Sequence, residues 1–250
     1  MPLTFLVSGA SAGFGAAIAR RAIADGHRVI AAARRRERLE GLCQELGERL
    51  LPLVLDVTDG ALVARLPGSL PAGWREPDVL VNNAGLAKGM EPAPQAVLDN
   101  WDTMVATNIT GLMHLTRAIL PGMVARDRGH VINIGSVAGH NAYPGGNVYG
   151  ASKAFVAQFT LGLRADLNGT NVHVTDLQPG LVGETEFSMV RLGDAARAAA
   201  IYQGTTPLTP EDIAEAVAWI VGLPDHVNIN RLEMMPTCQA PGGTVIKRRG

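Results

Sequence analysis

Cysteine, lysine, aromatic residues and long apolar runs are all scarce in this sequence, and each scarcity excludes a class of protein. Only two of the 250 residues are cysteines, Cys43 and Cys238, so a disulfide-rich scaffold is excluded. No cluster of cysteine and histidine has the spacing of a zinc site, so we expect no bound metal. No window of about 18 apolar residues exists and no signal peptide is recognisable. We therefore expect a cytoplasmic protein that does not cross a membrane.

The charge composition excludes further partners. A net charge of −1 gives no reason to expect binding to nucleic acid or to an anionic membrane. A hydrophobic fraction of 47% excludes disorder and supplies a well-buried core. The basic residues are nearly all arginine, and the only lysines are Lys88, Lys153 and Lys247. A lysine in such a chain suggests a position that needs a compact ammonium group.

Short apolar runs alternate with helical patterns along the whole chain, and no linker or repeat divides it. We predict strands at residues 3–8, 28–33, 50–55, 78–81, 129–134, 172–177 and 227–235. We predict helices from residue 13, over 35–46 and 98–126, from residue 149, and over 210–221. No element is assigned to residues 61–77. This alternation predicts a single-domain α/β fold, with one parallel sheet covered by helices on both faces.

A glycine-rich turn follows the first predicted strand and opens the first helix. Its spacing is Gly9-x-x-x-Gly13-x-Gly15. In that context backbone N–H groups converge, the helix dipole favours an anion, and the missing Cβ atoms allow a phosphate to approach closely. A tight turn without a ligand is the alternative.

The ends of the next strands carry charged and amide side chains. Arg34 and Arg35 stand where an acidic residue would accept the ribose hydroxyls of NAD, and arginines there suit the extra phosphate of NADP. The alternative is a solvated start to the following helix. Asp56 ends the third strand, where it binds an adenine amino group or caps the next helix. The run from Asn82 to Gly85 lines a ribose and joins neighbouring turns, or is a plain turn.

Two residues four positions apart carry the candidate chemistry. Tyr149 and Lys153 lie on one face of a predicted helix, and a nearby ammonium lowers the pKa of a phenol by roughly 1–3 units. Such a phenol is usable as an acid–base group near neutral pH. Ser136 follows the fifth strand and brings a hydroxyl beside it. The alternative is a surface tyrosine with a solvated lysine. Asn108 lies inside a predicted helix, where asparagine either bonds a specific group or bends the helix.

These motifs together resemble the short-chain dehydrogenase/reductase family over essentially the whole chain. Further stretches, among them Thr185-Glu186-Phe187-Ser188 and Leu232-Glu233-Met234-Met235-Pro236, are similar to the NADP-dependent 3-hydroxy acid dehydrogenases of that family. The resemblance implies a Rossmann-type, doubly wound, seven-stranded parallel sheet. It also implies a cofactor-binding part at about 1–135 and a catalytic and substrate part at about 136–250. Residues 181–207 have no confident sheet pattern, and we expect them to lie over the site as a mobile flap.

The resemblance also implies roles for individual residues. Tyr149 would exchange the proton, Lys153 would lower its pKa and hold the nicotinamide ribose, Ser136 would bond the substrate oxygen, and Asn108 would hold a water in a proton path. The implied contacts to NADP(H) are Ser8, Gly9, Ser11, Gly13, Phe14, Gly15, Arg34, Arg35, Asp56, Val57, Asn83, Ala84, Gly85, Tyr149, Lys153, Pro179, Gly180, Val182 and Thr185. The family also suggests a homotetramer.

The substrate is less well defined by the sequence. Besides Ser136 and Tyr149, we expect Tyr143, Asn147 and Arg191 to line its pocket, with Arg191 holding a carboxylate. Small 3-hydroxy acids such as serine, allo-threonine or 3-hydroxypropionate, or the matching semialdehydes, fit this pattern. A sulfoacetaldehyde reductase, another small carbonyl reductase and a catalytically silent NADP-binding protein remain alternatives. Whether Glu184 or Thr185 meets the nicotinamide also stays open.

Overall fold

Seven strands form one parallel sheet in the computed structural model, which describes residues 1–241. The strand order is β3-β2-β1-β4-β5-β6-β7, and all the pairings are parallel. The predicted doubly wound sheet is therefore confirmed, and the part of the predicted domain at 242–250 lies outside the described residues. The strands are β1 (Thr4–Ser8), β2 (Arg28–Ala33), β3 (Leu50–Val54), β4 (Val79–Asn82), β5 (Gly129–Ile134), β6 (Val172–Pro179) and β7 (Arg231–Met234).

Helices cover both faces of the sheet. None of the helices within residues 1–241 is long and apolar enough to cross a membrane. The α-helices are α1 (Gly13–Ala24), α2 (Arg36–Leu46), α3 (Gly60–Ser69), α4 (Leu98–Val105), α5 (Leu112–Ala125), α6 (Asn147–Asp166), α7 (Phe187–Leu192), α8 (Ala195–Tyr202) and α9 (Pro210–Val221).

The central strands are largely apolar because both of their faces are buried. Phe5 and Val7 on β1 belong to a core cluster that includes residues of α1, α2 and α9. Leu6, between them, belongs to a second cluster that includes residues of α3, α5 and α6. This alternation follows from the two-residue period of a strand, which sends successive side chains to opposite faces. Two helical layers thus enclose the sheet and leave its carboxyl edge for ligands.

Helix α3 and strand β7 differ from the sequence prediction. Helix α3 forms where no element is predicted; the carboxylate of Asp59 accepts a hydrogen bond from the backbone N–H of Leu62 at 2.9 Å and caps it. Strand β7 is shorter than the predicted 227–235. Its predicted start is replaced by Asn228, whose side chain accepts from the N–H of Val174 at 2.9 Å and donates to its carbonyl at 3.0 Å. An amide side chain there takes the place of a strand backbone.

The helix predicted over 98–126 is interrupted. Residues Ala106–Gly111 form a π-helical turn between α4 and α5, and Asn108 is buried within it. A π-turn accommodates one extra residue, and such turns occur frequently at functional sites. The segment predicted as a flap, 181–207, contains α7 and α8.

Candidate active site

A cleft of about 350 Å³ opens at the carboxyl edge of the sheet. It collects residues from the ends of β1 to β5 and from the flap, as expected for a parallel α/β sheet. Of the residues singled out from the sequence, its lining contains Gly9, Ser11, Gly13, Phe14, Arg34, Arg35, Asp56, Val57, Asn83, Ala84, Gly85, Tyr149, Lys153 and Thr185.

The glycine turn is shaped for a group that approaches the backbone closely. Gly9 and Gly13 have φ angles of +68° and +52°, the left-handed region that favours glycine. A Cβ atom on Gly9 would lie 2.9 Å from Asn83 Nδ2, and one on Gly15 would lie 2.5 Å from the carbonyl oxygen of Gly9. Ala12, at the N-cap of α1, has no side-chain acceptor for the first N–H groups of the helix. The turn therefore presents backbone donors to an anion.

Ser8 lies behind this turn and joins it to the next strand end. Its hydroxyl donates to the carbonyl of Val81 at 3.2 Å and accepts from the N–H groups of Asn83 and Ala84, both at 3.0 Å. The amide of Asn83 donates to the carbonyl of Ser8 at 2.9 Å. The structure thus shows the joining of neighbouring turns that the sequence suggests. Ser8 and Gly15 do not line the cleft; they hold the residues that do.

The two arginines after strand β2, Arg34 and Arg35, make different contacts. Arg35 donates from Nε and Nη2 to the hydroxyl of Ser11, at 3.2 Å and 3.0 Å, and from Nη1 to the carboxylate of Glu186 at 3.0 Å. Arg34 is exposed at the mouth of the cleft, and its charge acts on Asp56. Both arginines are therefore placed at one end of the cleft.

Asp56 is held as a charged group at the same end. Burial alone would raise the pKa of its carboxyl group, but hydrogen bonds from the N–H and hydroxyl of Thr58 and the charge of Arg34 bring it below its ordinary value. The bonds from Thr58 order the turn after β3, but the next helix is capped by Asp59, so the capping alternative for Asp56 is wrong. Its place in the cleft lining leaves the adenine interpretation as a prediction.

Tyr149 and Lys153 line the other end of the cleft, and Ser136 lies beside Tyr149 without being in the lining. Ser136 follows β5 and accepts a hydrogen bond from the N–H of Ala138 at 3.1 Å, which fixes a short turn. Tyr149 and Lys153 lie one turn apart on α6. Lys153 Nζ donates to the carbonyl of Ile134 at 2.7 Å and lies 5.9 Å from the centroid of the Tyr149 ring. The Ser136 side chain is close enough to the phenol to lower its pKa. The surface-tyrosine alternative is excluded, because Tyr149 is only 9% exposed.

The pKa values at this end differ from the expectation. Burial raises the pKa of Tyr149 to about 12; the Ser136 side chain and the charge of Arg191 oppose that rise. Burial also lowers the pKa of Lys153 to about 8, against the raising effect of Asp176. The expected lowering of the phenol pKa is therefore wrong for this structure. The cost of burying a phenolate outweighs its favourable interactions, and the ammonium is directed at the carbonyl of Ile134.

Asn108 hydrogen-bonds specific groups, which is one of the two roles expected for an asparagine inside a helix. Its Oδ1 accepts from the N–H of Leu86 at 2.9 Å, and its Nδ2 donates to the carbonyl of Leu86 at 2.8 Å and to the hydroxyl of Ser152 at 3.0 Å. Ser152 in turn donates to the carbonyl of Tyr149 at 2.7 Å. Sequence reasoning missed Ser152, although its position three residues after Tyr149, one helical turn away, was a signal. The water-holding role of Asn108 stays a prediction.

The flap brings Arg191 to the tyrosine end. Its guanidinium donates to the hydroxyl of Tyr143 at 2.9 Å and to the carbonyls of Gly89 and Gly145, both at 3.2 Å. Its Cζ lies 5.7 Å from the centroid of the Tyr149 ring. Arg191 thus lies next to the candidate acid–base group, but neither it nor Tyr143 is in the cleft lining, so its binding of a substrate carboxylate stays a prediction.

Other flap and loop residues have mixed outcomes. Thr185 lines the cleft, and its Cγ2 would lie 3.5 Å from a Cβ atom placed on Gly13. Glu184 is exposed and absent from the lining. Asn147 is also exposed, and its amide donates to the carbonyl of Glu91 at 3.4 Å, so it does not line the cleft. Sequence reasoning missed Phe187, whose ring centroid lies 5.6 Å from that of Tyr149.

The end of β6 supports the flap from behind. Gly180 donates its N–H to the carbonyl of Met234 at 2.7 Å, and Val182 pairs with Leu208 in an isolated bridge. Pro179, Gly180 and Val182 are not in the cleft lining. Their predicted contacts with a cofactor therefore remain predictions. The contacts they do make hold the start of the flap against β7 and Leu208.

Comparison with known proteins gives a consistent result. The sequence model of the family described as short chain dehydrogenase matches residues 4–194. The chain is 59% identical over 244 residues to the NADP-dependent 3-hydroxy acid dehydrogenase YdfG of Salmonella typhi, covering 97% of this chain and 98% of that protein. It is 48% identical over 246 residues to the serine 3-dehydrogenase of Agrobacterium fabrum, covering 98% of each chain.

A solved structure is similar over the same length. The closed form of a serine dehydrogenase complexed with NADP⁺ superposes with a TM-score of 0.95 and 57% sequence identity. The similarity covers 99% of this chain and 100% of that chain.

The lowered pKa of Lys153 can be measured directly, because the chain has only three lysines. In protein labelled with ¹³C at lysine Cε, we expect one resonance to titrate near pH 8, since burial disfavours the charged ammonium. Replacing Lys153→Met should remove that resonance and leave the other two. Lysine spectra with no titration below about pH 9.5, against an unperturbed value of about 10.4, would contradict the assignment.

Proposed function

Because the chain belongs to the short chain dehydrogenase family, we propose that it is an NADP-dependent oxidoreductase of small 3-hydroxy acids. It interconverts the 3-hydroxy acid with its 3-oxo acid or semialdehyde. The observation that carries the proposal is that Tyr149 and Lys153, with Ser136 beside them, line the cleft that also holds the glycine turn. The names of the similar proteins, a 3-hydroxy acid dehydrogenase and a serine 3-dehydrogenase, support it.

The residues present fit NADP(H). The glycine turn and the uncapped start of α1 suit a pyrophosphate, and Arg34 and Arg35 suit a 2′-phosphate. When bound, the nicotinamide accepts or donates the hydride. The protein supplies orientation and electrostatics around that transfer.

The tyrosine end handles the proton. Tyr149 is protonated at neutral pH, as an ordinary phenol is, and burial raises its pKa further, to about 12. In reduction it donates that proton to the carbonyl oxygen of the substrate. In oxidation it takes the proton from the alcohol. Ser136 donates a hydrogen bond to the same oxygen and stabilises the charge that develops on it. Lys153, held by the carbonyl of Ile134, provides a positive charge when protonated, which favours the phenolate that oxidation requires.

Arg191 selects substrates that carry an anion. A guanidinium has five N–H donors, and three of the donor groups of Arg191 face Tyr143, Gly89 and Gly145. The remaining donors are available for a carboxylate beside Tyr149. A sulfonate would bind in the same way, so sulfoacetaldehyde reduction is the second candidate activity. The bonds within the protein fix the guanidinium before a substrate arrives, which reduces the entropic cost of binding.

The enzymatic role is tested by Tyr149→Phe. We expect turnover to fall by about 10²- to 10⁴-fold, because the proton donor is lost, while NADPH binding is retained. Absorbance at the nicotinamide band, with serine, 3-hydroxypropionate and sulfoacetaldehyde, measures this. Tyr202→Phe is the matched control, since its hydroxyl contacts Ser188 at 2.6 Å and lies outside the cleft lining. If the unaltered protein binds NADPH tightly and turns over none of these substrates, the silent NADP-binding alternative is correct.

The role of Arg191 is tested by Arg191→Gln. We expect the KM for 3-hydroxypropionate or malonic semialdehyde to rise by about 10- to 100-fold, since a charge-assisted pair is lost. The KM for a neutral aldehyde of similar size should change far less. Arg197→Gln removes an exposed charge from the same flap and is the control. Equal losses for charged and neutral substrates would assign Arg191 to holding the loop alone.

We also propose a homotetramer in the cytoplasm. Exposed apolar side chains on or beside α4 and on α6, namely Val97, Leu98, Val105 and Leu161, supply a surface for pairing between copies. The free thiols Cys43 and Cys238 suit a reducing compartment. Sedimentation velocity at micromolar concentration should show a species of about four chain masses, and a monomer would contradict the proposal.

A further inference from the structure

One ion pair links the cofactor corner to the flap across the mouth of the cleft. Arg35 Nη1 and the carboxylate of Glu186 lie 2.9 Å apart at the closest oxygen, although the residues are 151 positions apart in the chain. Both side chains line the cleft and are nearly half exposed, at 43% and 47%. Glu186 immediately precedes Phe187, which contacts Tyr149. The pair therefore holds the start of the flap between the two ends of the cleft.

The donors of Arg35 are already engaged in an ordered way. Its Nε and Nη2 atoms donate to Ser11 on the glycine turn, and Nη1 donates to Glu186. Ser11 is a neutral acceptor and fixes one edge of the guanidinium. Both carboxylate oxygens of Glu186 lie close to Nη1, at 3.0 Å and 2.9 Å. The neighbouring Arg34 has no such carboxylate partner among the ion pairs of the described residues.

A phosphate and a carboxylate compete for the same edge of a guanidinium. Both accept paired hydrogen bonds from its planar donors. Two anions at one arginine repel each other, so a 2′-phosphate that binds Arg35 must displace Glu186 or bind beside its charge. A 2′-hydroxyl carries no charge and leaves the ion pair intact. The cost imposed by Glu186 thus falls on phosphorylated ligands only.

We propose that Glu186 is a specificity-determining residue that competes with the 2′-phosphate for Arg35. This inference rests on the proposed NADP-dependent function. Glu186 keeps the guanidinium in place when no phosphate binds and weakens the binding of phosphate when it does. By reciprocity, phosphate binding weakens the hold of Arg35 on the start of the flap. The preference for NADP over NAD is therefore smaller than Arg34 and Arg35 alone would give.

Calorimetric titration with two cofactor fragments tests the competition. Adenosine 2′,5′-bisphosphate carries the 2′-phosphate, and adenosine 5′-phosphate lacks it. In Glu186→Gln we expect the bisphosphate to bind about 2- to 5-fold more tightly, the range of an exposed ion pair, with the monophosphate unchanged. Low ionic strength, about 0.05 M, keeps the effect unscreened. In an Arg35→Ala background the same substitution should have no effect, because the shared partner is gone.

The control is Glu40→Gln, which removes the same charge from an exposed carboxylate paired with Arg36 at 4.0 Å. It should alter neither titration. Unchanged or weaker bisphosphate binding in Glu186→Gln would overturn the proposal, as would the same gain in Glu40→Gln or in the Arg35→Ala background. If the unaltered protein binds both fragments equally, the NADP assignment itself fails. If it prefers the bisphosphate and Glu186→Gln does not change that preference, only the role of Glu186 fails.

Discussion

The hydrogen bond from Lys153 Nζ to the carbonyl of Ile134 is the contact on which the geometry of the cleft depends. It ties the middle of α6 to the end of β5, so Tyr149 one turn earlier is fixed relative to Ser136 just after the strand. An ammonium this deeply buried is costly, and the carbonyl offsets part of that cost. The same burial brings the pKa of Lys153 to about 8 and that of Tyr149 to about 12. The burial of α6 against β5 thus determines both where Tyr149 and Lys153 lie and how their pKa values shift.

The flap extends this arrangement across the whole cleft. Thr185 packs near Gly13, Glu186 pairs with Arg35, and Phe187 and Arg191 lie against the Tyr149 ring. A single short segment therefore contacts both the phosphate corner and the acid–base group. A ligand that moves this segment at the phosphate corner can therefore also shift the contacts with Tyr149, because both sets of contacts belong to one continuous piece of chain.

The sequence predicts the sheet well because its strands are apolar runs bounded by glycines and helical patterns. It also predicts which strand ends meet, since parallel strands share one carboxyl edge. Helix α3 escaped prediction because Pro67 and Gly68 disguise its periodicity, although Asp59 caps it. The direction of the Tyr149 pKa change was also predicted wrongly, because burial raises this pKa. Spacing shows that two side chains are neighbours but not how much solvent reaches them. The pairing of Arg35 with Glu186 depends on tertiary structure alone.

The π-helical turn at Ala106–Gly111 has a consequence for how the sequence can change. Each residue advances a helix by about 100°, so deleting one residue there would convert the segment to regular helix. The amide of Asn108 would then rotate away from Leu86 and Ser152, its present partners. Straightening would also shift every apolar position of α4 relative to α5. Insertions or deletions in this segment should therefore disturb the site more than substitutions at its surface positions do.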